Sequence, residues 1–160
     1  MGLDITAYSK LKPYEKEVTE YNEPVDENDW GTVVSIYVNS DFSERCEDVP
    51  EGAYDYEEEI NFRAGSYGGY NAWRADLAAL VGLDPQACWD GTITEGPFYE
   101  LINFSDCEGT LGTAVCKKLL ADFEAHADKL NKNADYFTTK YIEWMQAFKL
   151  ASDDGCVRFH

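Results

Sequence analysis

Residues 54–81 have the sequence YDYEEEINFRAGSYGGYNAWRADLAALV, and two different periodicities meet within it. Over residues 54–62 aromatic or apolar side chains largely alternate with acidic or polar ones, which is typical of a strand with one acidic, solvated face. Residues 65–66 then interrupt the strand pattern. Apolar side chains recur after this break at helical spacing, at Tyr70, Trp73, Leu77, Leu80 and Val81. Because Gly82 supplies a helix stop, the segment predicts a strand, a break and one amphipathic helix.

Two further strands are predicted on the N-terminal side of this segment. Residues 3–8 alternate apolar and polar side chains, whereas residues 32–38 are β-branched or apolar on both faces. The second pattern predicts a well-covered strand near the centre of a sheet. Between the two lies an acidic, loop-rich segment at about residues 13–31, which contains Pro24 and shows no sustained period.

The C-terminal side is predicted to hold two strands and two helices. Residues 98–104 and the closing residues 156–160 resemble strands, and amphipathic helices are predicted from about Thr113 to Leu130 and over residues 137–148. Four or five strands with about three helices predict an α+β fold. In it, a mainly antiparallel sheet is covered on one face by a single layer of helices. The length of 160 residues predicts a single domain spanning residues 1–160.

The charge of the chain is strongly negative and unevenly distributed. The net charge is −18, and residues 13–59, the acidic segment, contain 16 acidic and two basic residues, a net charge of −14. A field of this sign repels nucleic acid and anionic lipid, so we expect no direct binding to nucleic acid and no membrane association. It attracts basic proteins and cations. The alternative interpretation is a solubilising surface without a specific partner.

Composition also predicts the compartment. No apolar run approaches the roughly 18 residues of a membrane-spanning helix, and residues 1–4 lack the features of a secretion signal. The 5 cysteines are an odd number without a C-x-x-C pair. Reduced thiols and a cytoplasmic location are therefore expected.

The junction between the predicted strand and the helix after it is the first candidate ligand site. Glycines at 65, 68 and 69 leave the backbone accessible, and Ser66 is positioned to cap the helix. The candidate residues are two arginines that could bind an anion, the capping serine and three aromatic residues that could stack on a ligand. They are Arg63, Ser66, Tyr67, Tyr70, Trp73 and Arg74. A small anionic ligand or a nucleotide is the expected class. The alternative is a capped helix whose arginines pair with nearby carboxylates.

The second candidate site follows residues 98–104. Cys107 precedes a predicted helix, whose N-terminus favours a thiolate, but Asp106 and Glu108 oppose one by like-charge repulsion. A nucleophilic Cys107 would need a base, and His160 on the closing strand is the candidate. Spacing alone brings no catalytic pair together, so we assign no catalytic residue. The alternative role for the two acids is capping of the following helix.

Four parts of the chain together resemble a set of small uncharacterised proteins associated with bacteriophage and prophage genomes. They are residues 1–8, 62–74, 105–109 and 157–160, and the likeness spans the whole chain. The resemblance implies no named activity and no cofactor. It does imply a host cytoplasm as the setting, where small acidic phage proteins commonly act by binding: they occlude DNA-binding surfaces of defence proteins or sequester a signalling ligand.

The leading expectation is a non-enzymatic, phage-type protein that binds a basic host protein through its acidic segment, with an anti-defence inhibitor as one version of it. Aromatic residues among the acids are expected contact anchors: Tyr14, Tyr21, Trp30, Tyr37, Tyr54 and Tyr56. Binding of a small anionic ligand at residues 65–74 is the alternative, and an enzyme centred on Cys107 ranks third.

Overall fold

The chain folds into two antiparallel sheets and three long helices. The structure, a computed structural model, describes residues 1–133 and 135–160. Its strands are β1 (Gly2–Tyr8), β2 (Lys12–Pro13), β3 (Val33–Ile36), β4 (Gly52–Asp55), β5 (Glu59–Ser66), β6 (Gly109–Leu111) and β7 (Cys156–Phe159). Its α-helices are α1 (Tyr67–Leu80), α2 (Pro85–Trp89), α3 (Tyr99–Ile102), α4 (Thr113–His126) and α5 (Tyr136–Ala151). Short 3-10 turns lie at Glu27–Asp29, Ser40–Cys46 and Ala127–Lys129.

The larger sheet has four strands in the order β5-β1-β7-β6, and every neighbouring pair is antiparallel. The predicted closing strand is confirmed as β7, which lies between β1 and β6 rather than at an edge. Gly155 leads into β7, and a Cβ atom there would overlap the carbonyl oxygen of Tyr8. The close approach of β7 to β1 therefore requires glycine at this position.

The two faces of the larger sheet are covered by different layers. On one face, Leu3, Ile5 and Ala7 of β1 belong to the main hydrophobic core, which includes buried residues of α1, α4 and α5. On the other face, Tyr8 and Cys156 pack into a second cluster with residues of the smaller sheet, whose order is β2-β4-β3. The α+β class is confirmed. The second sheet is an addition that the sequence analysis did not anticipate.

The three long helices form where their apolar periodicity predicts them. Ser66 caps α1, because its Oγ accepts from the backbone N–H of Gly69 at 3.0 Å. Gly82 follows α1 with a φ of +70°, a conformation that suits a helix C-terminus. Asp135 caps α5 by accepting from the backbone N–H of Thr138 at 2.8 Å. This cap lowers the pKa of Asp135, because hydrogen bonds from Thr138 stabilise the carboxylate.

Two strand predictions were wrong in extent or position. The single strand predicted over residues 54–62 is two strands in two sheets: β4 ends at Asp55, and β5 begins at Glu59. The strand predicted near a sheet centre, β3, lies at the edge of the smaller sheet. Only alternate residues of β3, Val34 and Ile36, are buried, so one of its faces is covered instead of two.

The strand predicted over residues 98–104 was also wrong. This segment contains the short helix α3, preceded by Phe98 with a left-handed φ of 62°. Phe98, Leu101 and Ile102 are buried, and their spacing of three and four residues matches one helical turn instead of an alternating strand. The strand that pairs with β7 on the side away from β1 is the three-residue β6, which begins five residues after the predicted strand.

Candidate functional site

The aromatic residues of the first candidate site contribute mainly to the core. Tyr70 is fully buried and Trp73 is 2% exposed, and both rings pack near Trp144. Burial raises the pKa of Tyr70 to about 12, with Arg74 acting in the opposite direction. Tyr67 is partly buried against the same core. Tyr70 and Trp73 therefore present no free ring face for a ligand to stack on.

The two arginines of that site lie in different environments. The Arg63 side chain is 54% exposed and its Nη1 donates to Asp4 Oδ2 at 3.1 Å. Arg74 is 5% exposed, and its Nη1 donates to the backbone carbonyls of Phe104 at 2.7 Å and Leu101 at 3.2 Å. The carboxylate pairing expected in the alternative interpretation is present at Arg63. Arg74 instead holds the end of α3 against α1.

Four of the predicted residues line one shallow depression. Arg74, Asp106, Cys107 and Glu108 surround a cavity of about 460 Å³ together with Tyr37, residues 39–42, Trp89 and Ser105. Asp106 is held by Asn71, whose Nδ2 donates to Asp106 Oδ2 at 2.8 Å while its Oδ1 accepts from Arg74. Since the guanidinium of Arg74 is already satisfied by protein acceptors, this depression presents mainly carboxylates and one thiol.

The structure does not bring Cys107 and His160 together. Cys107 is exposed, with its Sγ 3.4 Å from Ser105 Oγ, and Ser105 Oγ also accepts from the backbone N–H groups of Cys107 and Glu108. His160 Nε2 lies 2.8 Å from Thr6 Oγ1 on β1. Burial, assisted by the charge of Arg158, lowers the pKa of His160. No hydrogen bond joins the two side chains in the described part of the chain.

The acidic segment presents nearly all of its carboxylates to solvent. Of its 16 acidic residues, only Asp26 and Asp29 are partly buried. The other carboxylate side chains are exposed, at Glu15, Glu17, Glu20, Glu23, Glu27, Asp41, Glu44, Glu47, Asp48, Glu51, Asp55, Glu57, Glu58 and Glu59. Of the two basic residues, Arg45 is buried and donates to Asn103 Oδ1 at 2.9 Å, while Lys16 pairs with Asp29 at 2.9 Å. Glu44 also pairs with Arg45 at 3.0 Å and Glu57 with Lys10 at 3.4 Å. Most of the other carboxylates of the segment have no basic partner within the described residues.

The six aromatic residues predicted as contact anchors divide into exposed and packed groups. Tyr21 is 71% exposed, Trp30 64% and Tyr37 42%, so these rings are available to a partner. Trp30 is also held in place, because its Nε1 donates to the carbonyl of Pro24 at 2.9 Å. The other three, Tyr14, Tyr54 and Tyr56, are partly buried. Tyr14 donates to Asp29 at 2.7 Å, and the pKa of its hydroxyl is raised to about 12, by desolvation first and then by that carboxylate.

One feature of the larger sheet was missed by the sequence analysis. A cleft of about 570 Å³ lies between the two sheets, and it is lined by Arg158 of β7 along with Tyr8, Trp30 and Tyr56. The available signal was the alternation of β7, in which Arg158 stands between the apolar residues Val157 and Phe159. This alternation places Arg158 on the face opposite the main core.

Comparisons of the chain with protein-family models, with curated proteins and with solved structures find no match. Across residues 1–133 and 135–160, no helix has the length and apolar character needed to span a membrane. No group of three or more His, Cys, Asp or Glu side chains in those residues is arranged to hold a metal ion. Function is therefore inferred from the surfaces and cavities of this chain itself.

Proposed function

We propose that the protein is a non-enzymatic binding protein whose acidic segment engages a basic partner protein. The observation that carries the proposal is the exposure of the carboxylates in residues 13–59, where the one exposed base, Lys16, is already paired with Asp29. Unneutralised charges of one sign accelerate and orient the approach of an oppositely charged protein.

Backbone and side-chain contacts fix the conformation of the acidic segment. Strands β2, β3 and β4 lie within or next to it, and the connection between β2 and β3 is fixed by the Val18–Pro24 bridge and the Trp30–Pro24 hydrogen bond. A partner that meets an ordered surface loses less conformational entropy on binding than one that must order a loop. Trp30 and Tyr21 offer large exposed rings among the carboxylates, and aromatic residues of this kind often dominate interface energy.

The resemblance to phage proteins supplies the setting for the proposal. In a host cytoplasm, a basic surface that normally meets nucleic acid is complementary to this segment, and occupying that surface would inhibit the host protein. An anti-defence inhibitor acts in this way. The charge of the segment equally disfavours its own binding to nucleic acid or to anionic lipid.

Two charge-matched variants test the proposal. The first replaces Glu15, Glu17, Glu20 and Glu27 by glutamine inside the acidic segment. The control replaces four exposed acids elsewhere by their amides, at Asp76, Glu95, Glu124 and Asp128. Both variants lose the same formal charge, so a difference between them reports the position of the charge and not its amount.

Each variant and the unmodified protein would be immobilised and exposed to bacterial host lysate, with the salt concentration raised from about 50 mM to about 500 mM. Bound proteins would then be identified and re-measured in purified form by calorimetry. We expect a basic protein that is retained by the control, lost by the segment variant and released by salt. Recovery of no basic protein, equal loss by both variants, or retention that is indifferent to salt would each overturn the proposal.

A further inference from the structure

The four arginines of the chain differ in what their guanidinium groups contact. Arg45 donates to Glu44 and Asn103, Arg63 donates to Asp4, and Arg74 donates to the carbonyls of α3 and its C-terminal flank. Arg158 is the exception. Within the described residues, its guanidinium makes no ion pair with a carboxylate, and it hydrogen-bonds the hydroxyl of Tyr8.

Arg158 nevertheless lies in a confined position. It is on β7, opposite Thr6 of β1, and it is partly buried. Burial raises the pKa of the Tyr8 hydroxyl, and the charge of Arg158 and a hydrogen bond with it act in the opposite direction. A half-buried guanidinium without a carboxylate partner retains unused donors for an incoming anion.

The walls of the cleft above Arg158 are aromatic and fixed. Trp30 is anchored through its Nε1 to Pro24, and the Tyr56 hydroxyl donates to the carbonyl of Gly31 at 3.1 Å. Tyr56 also packs edge-on against Tyr8, with ring centroids 4.7 Å apart. The cleft volume of about 570 Å³ is within the range of small-molecule sites, which typically combine apolar walls with a few polar groups.

We propose that this cleft binds a small carboxylate with a flat apolar body. The carboxylate accepts from the planar guanidinium of Arg158, whose fork geometry matches two carboxylate oxygens. The flat body lies against Trp30 and Tyr56. Glu23 and Glu59 also line the cleft, and their charges disfavour ligands with several negative charges, such as nucleotides.

The cleft shares Trp30 with the proposed partner surface, but it also depends on Arg158, a basic residue outside residues 13–59. Its test likewise leaves the carboxylates of the acidic segment unchanged. Arg158→Gln therefore tests the cleft alone, and the glutamine variant of the acidic segment tests the partner surface alone.

The test is a titration followed by ¹⁵N NMR, with indole-3-acetate as the probe. Indole-3-acetamide has the same shape without the charge, tryptamine carries the opposite charge, and adenosine monophosphate is a more highly charged flat ligand. We expect indole-3-acetate to shift the Trp30 indole N–H and the Arg158 Nε–H resonances in a saturable manner. The neutral amide should bind about tenfold more weakly or worse, because it loses a charge-assisted pair of hydrogen bonds.

Matched variants locate the site. Arg158→Gln should weaken indole-3-acetate binding about tenfold or more, whereas Arg63→Gln removes the same charge from the same face of the sheet outside the cleft and should leave binding unchanged. Trp30→Ala should also weaken the binding of indole-3-acetate. Because Trp30 is largely exposed, this variant should fold, and it tests the site if Arg158→Gln does not fold. Unchanged binding in Arg158→Gln or Trp30→Ala would overturn the proposal. In the ligand series, it would be overturned by equal affinity for the acid and the amide, by tighter binding of adenosine monophosphate than of indole-3-acetate, or by the absence of saturable shifts.

Discussion

Replacing Arg74 by methionine should destabilise the fold far more than the same change at Arg63. Both residues belong to the first candidate site, and the sequence places them 11 positions apart without distinguishing their environments. In the structure Arg74 is buried between α1 and α3, and Arg63 lies at the surface of β5. Methionine keeps much of the apolar stem of arginine but donates no hydrogen bond.

The expected magnitude follows from the partners that Arg74→Met leaves behind. The carbonyls of Leu101 and Phe104 would both lose a buried donor, at about 1–3 kcal/mol each. The guanidinium also lies 4.8 Å from the ring centroid of Tyr70 and 5.4 Å from that of Trp89, contacts worth about 0.5–1 kcal/mol each. Relief from burying a charge offsets part of this sum. We expect a net loss of about 3–5 kcal/mol in the free energy of unfolding.

Urea denaturation followed by circular dichroism measures this difference directly. Arg74→Met should also lower Tm by about 10 °C, given the usual scaling for a chain of this size. Arg63→Met should cost no more than about 1 kcal/mol, since the exposed Arg63–Asp4 pair is well solvated. Equal stability of the two variants would refute the structural role given to Arg74 and would return it to the set of candidate ligand residues.

Two further predictions concern individual titratable or reactive groups. The pKa of His160 should lie below 6.5, since burial disfavours the imidazolium. The free energy of unfolding should therefore be unaffected by this residue above pH 6.5 and should decrease as the pH drops from 6.5 towards the folded-state pKa. An NMR titration, with the His160 signal assigned from His160→Gln, would contradict this if the midpoint reached 6.5 or higher. A thiol reagent should label one cysteine rapidly in the native protein, because Cys107 is exposed and the other four are buried. Cys107→Ser should abolish the rapid phase, and rapid labelling that survives this change would show that a buried cysteine opens to solvent.

The helices could be predicted because their signals are local. A long apolar stripe, a capping residue and a glycine stop all lie within one element, as for α1 with Ser66 and Gly82. The division of residues 54–62 could not be predicted in this way. It depends on Asp55 pairing with Val33 and Glu59 pairing with Tyr8, and the local alternation does not reveal such distant partners.

The candidate sites show the same limit. Arg74 lies four residues after Tyr70 and three before Leu77, so it falls on the buried stripe of α1, and that spacing was a usable sign of a structural role. For Arg158, the alternation of β7 indicated only which face of the sheet it lies on. No local sequence pattern indicated that it shares a cleft with Trp30 and Tyr56. It requires the smaller sheet to pack over the larger one, and the contacts that achieve this join distant parts of the chain.

The pairing of β1 with β7 has a consequence for how the molecule reaches its fold. These adjacent strands join residues near opposite ends of the sequence, as in the reciprocal hydrogen bonds between the backbones of Asp4 and His160. On a ribosome, the larger sheet cannot be completed until β7 emerges, so β1 and β5 must wait with one edge unpaired while the helices form locally. Pairing of β1 with β7 is therefore expected to be slow, because it joins distant parts of the chain, and the earlier formation of the helices does not bring it about.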